Sequence, residues 1–464
     1  MRTQRKNLMV NVDWITVLLY LALVIFGYMN IYSAALVEEH PAMYDFSQEY
    51  GKQFWFIVVA FFLAMIILYM EADFFSRFSY LIYAVVILLL CLVLIPGIGK
   101  TQGGNQAWIA LGSVRLQPAE FAKIGVALVL AKYISSTKAK FSDWKTRAMA
   151  VAIIGLPAAL ILLQPDVGTL LTFIAFTFVL YREGLSGNVL FVGLGSLVLG
   201  VVSIFSGYNQ VDYWLFGTHS GVYVVIIVLL ILGVLLTLAV RYFVVPRYRK
   251  IRYIIIAAGT VLSMAFCYSV DYVIDGVLKP HHKSRIYVTL GLEEKKLTEE
   301  ELAAAEAAGN TQAAKKDDDP GYNARMAKIA VANGGLIGQG YMQGPMTSNK
   351  YVPERWTDFI FSVISEEWGF VGSLLVVVLF VVLIVRLINI SERQRSQFSR
   401  IYGYGVASVF MIHFIINIGM VIGLAPIIGI PLPFMSYGGS SLIGFTALLF
   451  IMLRLDSERL SIFK

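Results

Sequence analysis

Hydrophobic residues in this chain come in long unbroken runs, with polar residues gathered between the runs. A half-buried strand alternates every second residue, and a surface helix carries one apolar stripe. A run that is apolar all round for about 17–20 residues matches a helix crossing a hydrocarbon core. Such runs fall near residues 14–34, 52–70, 79–97, 118–134, 148–164, 168–182, 187–206, 221–241, 253–272, 358–386, 401–425 and 439–453. The runs at 148–164 and 168–182 are short, and only Gln164-Pro165-Asp166 separates them, with proline breaking the helix. The pattern predicts an all-α polytopic membrane protein of about twelve transmembrane helices, forming one membrane domain over residues 1–464.

Composition agrees with a lipid solvent. The 464 residues are 58% hydrophobic and 14% charged, where soluble domains run nearer about 25% charged. The formal net charge is +7. A basic chain raises the question of nucleic acid, but the cations here sit in short loops between apolar runs, the bias of cytoplasmic loops in membrane proteins. No nucleic-acid partner is expected. With the N-terminus inside, Lys138, Lys140, Lys145 and Arg147 fall on one side. So do Arg241, Arg247, Arg249, Lys250 and Arg252, and Arg386, Arg393, Arg395 and Arg400. That parity puts both termini in the cytoplasm. Met1–Asn7 is basic and leads into a run longer than the apolar core of a signal peptide, so it is read as an uncleaved first span. Cys91 and Cys267 lie in apolar runs; they offer neither a disulfide framework nor metal-ligand spacing and are read as packing residues.

One large segment, residues 273–357, lies outside the runs. It holds eleven Lys/Arg and eleven Asp/Glu, so its flanking spans and not its charge place it on the outer side. Thr298-Glu299-Glu300-Glu301 is a capping-box pattern opening an Ala/Glu-rich helix that Gly309-Asn310 would end; residues 291–316 read as a solvated insertion.

Charges inside spans need a reason, since each costs about 2.5–3.5 kcal/mol on insertion scales. Glu120 and Lys123 stand at i, i+3 at the start of the fourth run and can pair. Either they are an ion pair that satisfies itself, or they form a polar site opening to the outer face. Asp166 precedes Val167-Gly168-Thr169 and is placed to cap the next helix. Asp358 is placed to cap the tenth. Glu366 and Glu367 lie about two turns deeper, and adjacent carboxylates cannot share one face, so at least one points to a cavity or a partner. His413 and Asn417, at i, i+4, suit helix–helix hydrogen bonding. The stretch Pro431–Ser441 is kept non-helical by proline and glycine, which at membrane depth is tolerated beside a cavity or within protein. Asp317-Asp318-Asp319 on the outer segment reads, taken alone, as a solvated charge run, and no loop has the ligand spacing of zinc or calcium sites.

Taken together, several of these stretches resemble the SEDS family of RodA, FtsW and SpoVE, RodA most nearly. The matching blocks are Gln117-Pro-Ala-Glu120-Phe-Ala-Lys123, Gln164-Pro-Asp-Val-Gly-Thr169, Pro280 with Arg285-Ile286, and Val331-Ala-Asn-Gly-Gly335-Leu-Ile-Gly338-Gln-Gly340. They continue with Pro353-Glu-Arg-Trp-Thr-Asp358-Phe-Ile-Phe361, Glu366-Glu367 with Gly369, and Gly429-Ile-Pro-Leu-Pro-Phe-Met-Ser-Tyr-Gly-Gly-Ser-Ser441. They occur in family order, and the last block and the one at 353–361 are highly specific. The family typically has ten spans, so the resemblance implies an inserted helix pair in the region 207–272, which keeps the parity.

The resemblance implies a peptidoglycan glycosyltransferase that polymerises lipid II at the outer face of the bacterial cytoplasmic membrane, in cell elongation and shape, together with a class B penicillin-binding protein. A sugar hydroxyl would attack the anomeric carbon of the lipid-linked donor, with inversion and loss of undecaprenyl diphosphate. One carboxylate would serve as base, and Arg, Lys or a divalent cation would stabilise the leaving group. The family's proposed catalytic aspartate lies in an Asp-Pro-x-Gly-x-Gly-Tyr-Gln pattern. Its nearest match here is Asp319-Pro320-Gly321-Tyr322-Asn323, shortened and ending in Asn, with Asp318 as the alternate base. Lys123, Arg285 and Arg325 would contact phosphate, Glu120 would position Lys123, Asp166 would line an outer cavity, and Asp358 would join the substrate-binding residues. Glu120, Lys123, Asp166 and Asp319 are expected to converge. The family's basic residue before Trp-Ile in the second outer loop is missing, since Gly104-Asn105-Gln106-Ala107 precedes Trp108. A lipid II flippase or transporter, and a non-catalytic scaffold for the penicillin-binding protein, are the alternatives.

Overall fold

A computed structural model describes residues 11–36, 42–102, 105–112, 114–136, 143–164, 166–213, 217–277, 287, 320–349, 351–352, 355–425 and 427–459. Arg285, Asp318, Asp319 and the insertion at 291–316 lie outside them. The chain divides into two compact units, one of residues 1–186 with 325–464 and one of residues 187–324.

The first unit contains α1 (Trp14–Ala35), α2 (Glu49–Tyr69), the short α3 (Ala72–Arg77) and α4 (Ser79–Val93). A three-stranded antiparallel sheet follows, with β1 (Gly99–Gln102), β2 (Asn105–Leu111) and β3 (Val114–Leu116) in sequential order. Then come α5 (Pro118–Ser136), α6 (Trp144–Leu163), α7 (Val167–Thr172) and α8 (Ala175–Arg182). The second unit supplies α9 (Gly187–Tyr208), the hairpin β4 (Gln210–Tyr213) and β5 (Gly217–Ser220), α10 (Val222–Phe243) and α11 (Pro246–Tyr272). The chain continues through α12 (Pro320–Asn333), α13 (Pro345–Ser348), α14 (Ile360–Glu392), α15 (Gln397–Ile422) and α16 (Gly439–Ser457).

Each of the twelve predicted runs is helical. Among the described residues nine helices are long and apolar enough to cross a membrane on their own. The remaining three runs fall short for visible reasons. α4 is brief, the run at 168–182 is split between α7 and α8, and α5 carries Glu120, Lys123 and Lys132. Local chemistry sets several ends. Asp13 caps α1 by accepting from the Thr16 amide at 3.1 Å, Pro246 opens α11, and α15 stops at Gly423 in the left-handed conformation. The N-cap position of α14 falls at Phe359 and not at Asp358. Of the two cysteines, Cys267 is buried as expected, whereas Cys91 is exposed on α4.

The core of the first unit gathers on α16, 89% of whose spanning window is buried, against 28% for α2. It packs on α2, α5 and α15. At one end of the unit an ionic cluster ties the start of α1 to the ends of α14 and α16. Arg386 and Arg393 reach Asp13 at 2.7 and 2.9 Å, and Arg393 and Arg459 both pair with Asp456. At the other end, the Gly438 amide donates to Gln53 and the Gln117 amide to Ser440. The first and last spans therefore begin and end on the same side of the unit.

Candidate functional site

Glu120 and Lys123 lie in the first turns of α5, where their spacing puts both on one face. Lys123 Nζ donates to Glu120 Oε2 at 2.8 Å, and the side chains are 3% and 1% exposed. A third partner comes from far along the chain: the ammonium lies 3.0 Å from His413 Nε2 on α15. Because an ammonium can only donate, Nε2 accepts, and the ring proton sits on Nδ1, which faces the Pro431 carbonyl at 3.1 Å. The Phe445 ring of α16 covers the charge, its centroid 4.6 Å from Nζ. The pair is thus sealed by α15 and α16 instead of opening to the outer face, because His413 and Phe445 fill the space beside it.

Asp166 caps α7 as expected, accepting from the Thr169 amide at 3.0 Å and its hydroxyl at 2.8 Å. Gln117 Nε2, one turn before Glu120, donates to Asp166 Oδ2 at 2.9 Å. Glu120, Lys123 and Asp166 therefore do share one neighbourhood. Asp358 is half-buried, and its carbonyl accepts from Asn417 Nδ2, which also donates to the Ile430 carbonyl. Asn417 thus ties the 353–361 block to the 429–441 loop. That loop is irregular and buried. Ser436 Oγ accepts from the Leu432 amide, the Tyr437 amide donates to the Trp356 carbonyl, and Phe434 takes a positive φ of 68°. Gly27 of α1 permits its approach, since a Cβ there would stand 2.6 Å from Met435 Cα. Arg325 is exposed on α12.

A second assembly was not anticipated. α14 is broken at Gly369, where φ is 65° and ψ −160°, and residues 335–340 dock on the break. The Gln339 and Gly340 amides donate to the Glu366 and Glu367 carbonyls, and the Phe370 and Val371 amides donate to Gly335 and Leu336. The adjacent carboxylates separate as the sequence required. Glu366 accepts from the Met346 and Thr347 amides at the start of α13, and Glu367 accepts from Ser33 on α1. Two motif blocks, 331–340 and 366–369, are thus halves of one structure. The glycines carried the signal, but their pairing is long-range and unreadable from spacing. Among the described residues no three His, Cys, Asp or Glu side chains come together as a metal site.

These features define a polytopic helical membrane protein with one set of buried polar groups gathered around an irregular loop and a buried ionic cluster at the opposite end of the first unit. A family model described as "Cell cycle protein", covering FtsW, RodA and SpoVE, matches residues 13–215 and 309–460, and the chain belongs to that family. It is 30% identical over 441 residues to peptidoglycan glycosyltransferase RodA of Treponema pallidum, covering 93% of this chain and 94% of that one. It is 29% identical to peptidoglycan glycosyltransferase MrdB of Escherichia coli K12 over 81% of this chain and 78% of that one. Stage V sporulation protein E of Bacillus subtilis is 28% identical, with 93% of each chain covered. The fold is shared with a chain of a peptidoglycan synthase complex (TM-score 0.64, 24% identity, 97% of this chain and 98% of that one). It is also shared with Thermus thermophilus RodA (TM-score 0.56, 22% identity, 97% and 98%).

Proposed function

We propose that this protein is a peptidoglycan glycosyltransferase that polymerises lipid II into glycan strands at the outer face of the bacterial cytoplasmic membrane. The full-length match to a relative named peptidoglycan glycosyltransferase RodA carries the reading. In it, Asp319, with Asp318 as alternate, takes the proton from the attacking sugar hydroxyl. The segment lies within the family match at 309–460. Arg285, Arg325 and Lys123 supply the positive charge that meets the diphosphate, Lys123 oriented by Glu120. Asp166 and Asp358 shape the surrounding wall. The reading makes elongation and cell shape the role, a class B penicillin-binding protein the partner, and the cytoplasm the side of both termini. The segment 216–308, which the family match omits, supports α10 and α11 as an inserted pair.

The test is glycan polymerisation from purified lipid II, by the protein alone and with its penicillin-binding partner, comparing wild type with Asp319→Ala. Strands from wild type that vanish in a still-folded variant are expected. Strands from both move the base to Asp318. No strands from either, with the partner present, transfers the weight to transport or scaffolding.

A further inference from the structure

The hairpin of α10 and α11 carries a groove that the polymerase reading does not use. Two open depressions of about 400 and 220 Å³ lie along the seam between these helices. They share Leu236 and Ile256, so they form one surface groove running along α10 from Leu229 to Val244. At a rise of about 1.5 Å per residue that length is roughly 22 Å. One leaflet of the hydrocarbon core is about 15 Å deep, so an acyl chain fits along it. The walls are apolar apart from Thr260 and Ser263 deep in the seam and Arg252 at the mouth.

The mouth is strongly basic. Arg241, Arg247, Arg249, Lys250 and Arg252 surround the turn, and residues 213–270 contain no Asp or Glu. Among the described residues none of these five cations has an acidic partner. Arg249 is folded back, its Nε donating to the Val244 carbonyl at 2.7 Å, and Arg252 is the guanidinium that borders the groove. Membrane insertion accounts for a basic turn, but not for a chain-length apolar groove beside it. We propose that the α10–α11 seam binds one anionic phospholipid, an acyl chain in the groove and the headgroup phosphate at Arg252.

The test is native mass spectrometry of the full-length protein in detergent, titrated with phosphatidylglycerol or with phosphatidylcholine of the same chains. One tightly held phosphatidylglycerol per chain is expected, at roughly tenfold higher occupancy than phosphatidylcholine. Arg252→Gln removes that preference while a chain still binds. Gly259→Phe, at a groove-lining position where a Cβ meets nothing within 4 Å, places a ring across the open groove and abolishes both. Equal occupancy by the two lipids overturns the proposal. So does a preference that survives Arg252→Gln, or binding that survives Gly259→Phe in a monodisperse variant. Two further results count against it: glycerophosphoglycerol binding as tightly as the whole lipid, and a co-purified protein helix that lipid does not displace. Loss of polymerase activity plays no part in the readout, so this inference and the functional proposal fail separately.

Discussion

Lys123 brings a charge into the bundle and is held by hydrogen bonds to Glu120 and His413 and by the Phe445 face. The i, i+3 pairing of Glu120 and Lys123 was legible in the sequence, because helix geometry alone brings those positions together. The third partner was not. His413 stands 290 positions away, and its spacing to Asn417 pointed to helix contacts in general and to no particular one. A buried pair is costly to break and cheaper to remove whole. Lys123→Met is therefore expected to lower stability by about 3–5 kcal/mol, because it strands the Glu120 carboxylate. The double change with Glu120→Gln should recover much of the loss. Thermal unfolding of the detergent-solubilised variants reads both, and a single variant as stable as wild type would contradict the sealed pair.

The helices were readable element by element because lipid removes the need for a polar face. Two kinds of element were not. The sheet at 99–116 lies in what reads as a polar outer loop. The pair Gly103-Gly104, which falls between β1 and β2 in sequence, is a hairpin signal that a search for apolar runs passes over. The break in α14 was hidden for a different reason: the apolar stretches on either side of Glu366-Glu367 read as one span, and only the partner segment at 335–340 makes the interruption affordable. A break inside a span leaves amides and carbonyls unsatisfied, and here a second backbone satisfies them. Gly369→Ala is expected to prevent that docking, since the new Cβ would stand 2.2 Å from the Gly338 amide nitrogen at a φ of 65°. Strain of that kind costs about 1–3 kcal/mol before the clash is counted. The expected outcome is a sharp fall in monodisperse yield, with Gly338→Ala giving the same result because its Cβ would meet the Glu367 carbonyl at 2.1 Å.

Across the whole molecule, loop charges predicted an even span count, and the ionic cluster at Asp13, Arg386, Arg393 and Asp456 is the physical counterpart in the first unit. Burial of Asp13 works against its ionisation. Hydrogen bonds from Arg386, the Thr16 amide and Arg393 outweigh that burial and hold its carboxyl below the usual value of 3.8. A depressed carboxyl adds stability above its unfolded pKa, and the contribution fades as pH falls through the folded one. Asp13→Asn should thus cost about 1.5–3 kcal/mol at neutral pH. The gap to wild type should close as pH falls below about 4, which melting temperatures across pH would record. A constant gap would mean that charge has no part in holding these ends together.

The burial of α16 has a consequence for synthesis. The segment that fills the middle of the first unit follows all the other described spans in the chain. Until it arrives, Gln53 and Lys123 sit in helices already handed to the membrane while the partners that α16 and its preceding loop bring are still missing. The nascent chain therefore waits as a set of inserted but unlocked spans until α16 packs among them, and failure at that step leaves a substrate for quality control.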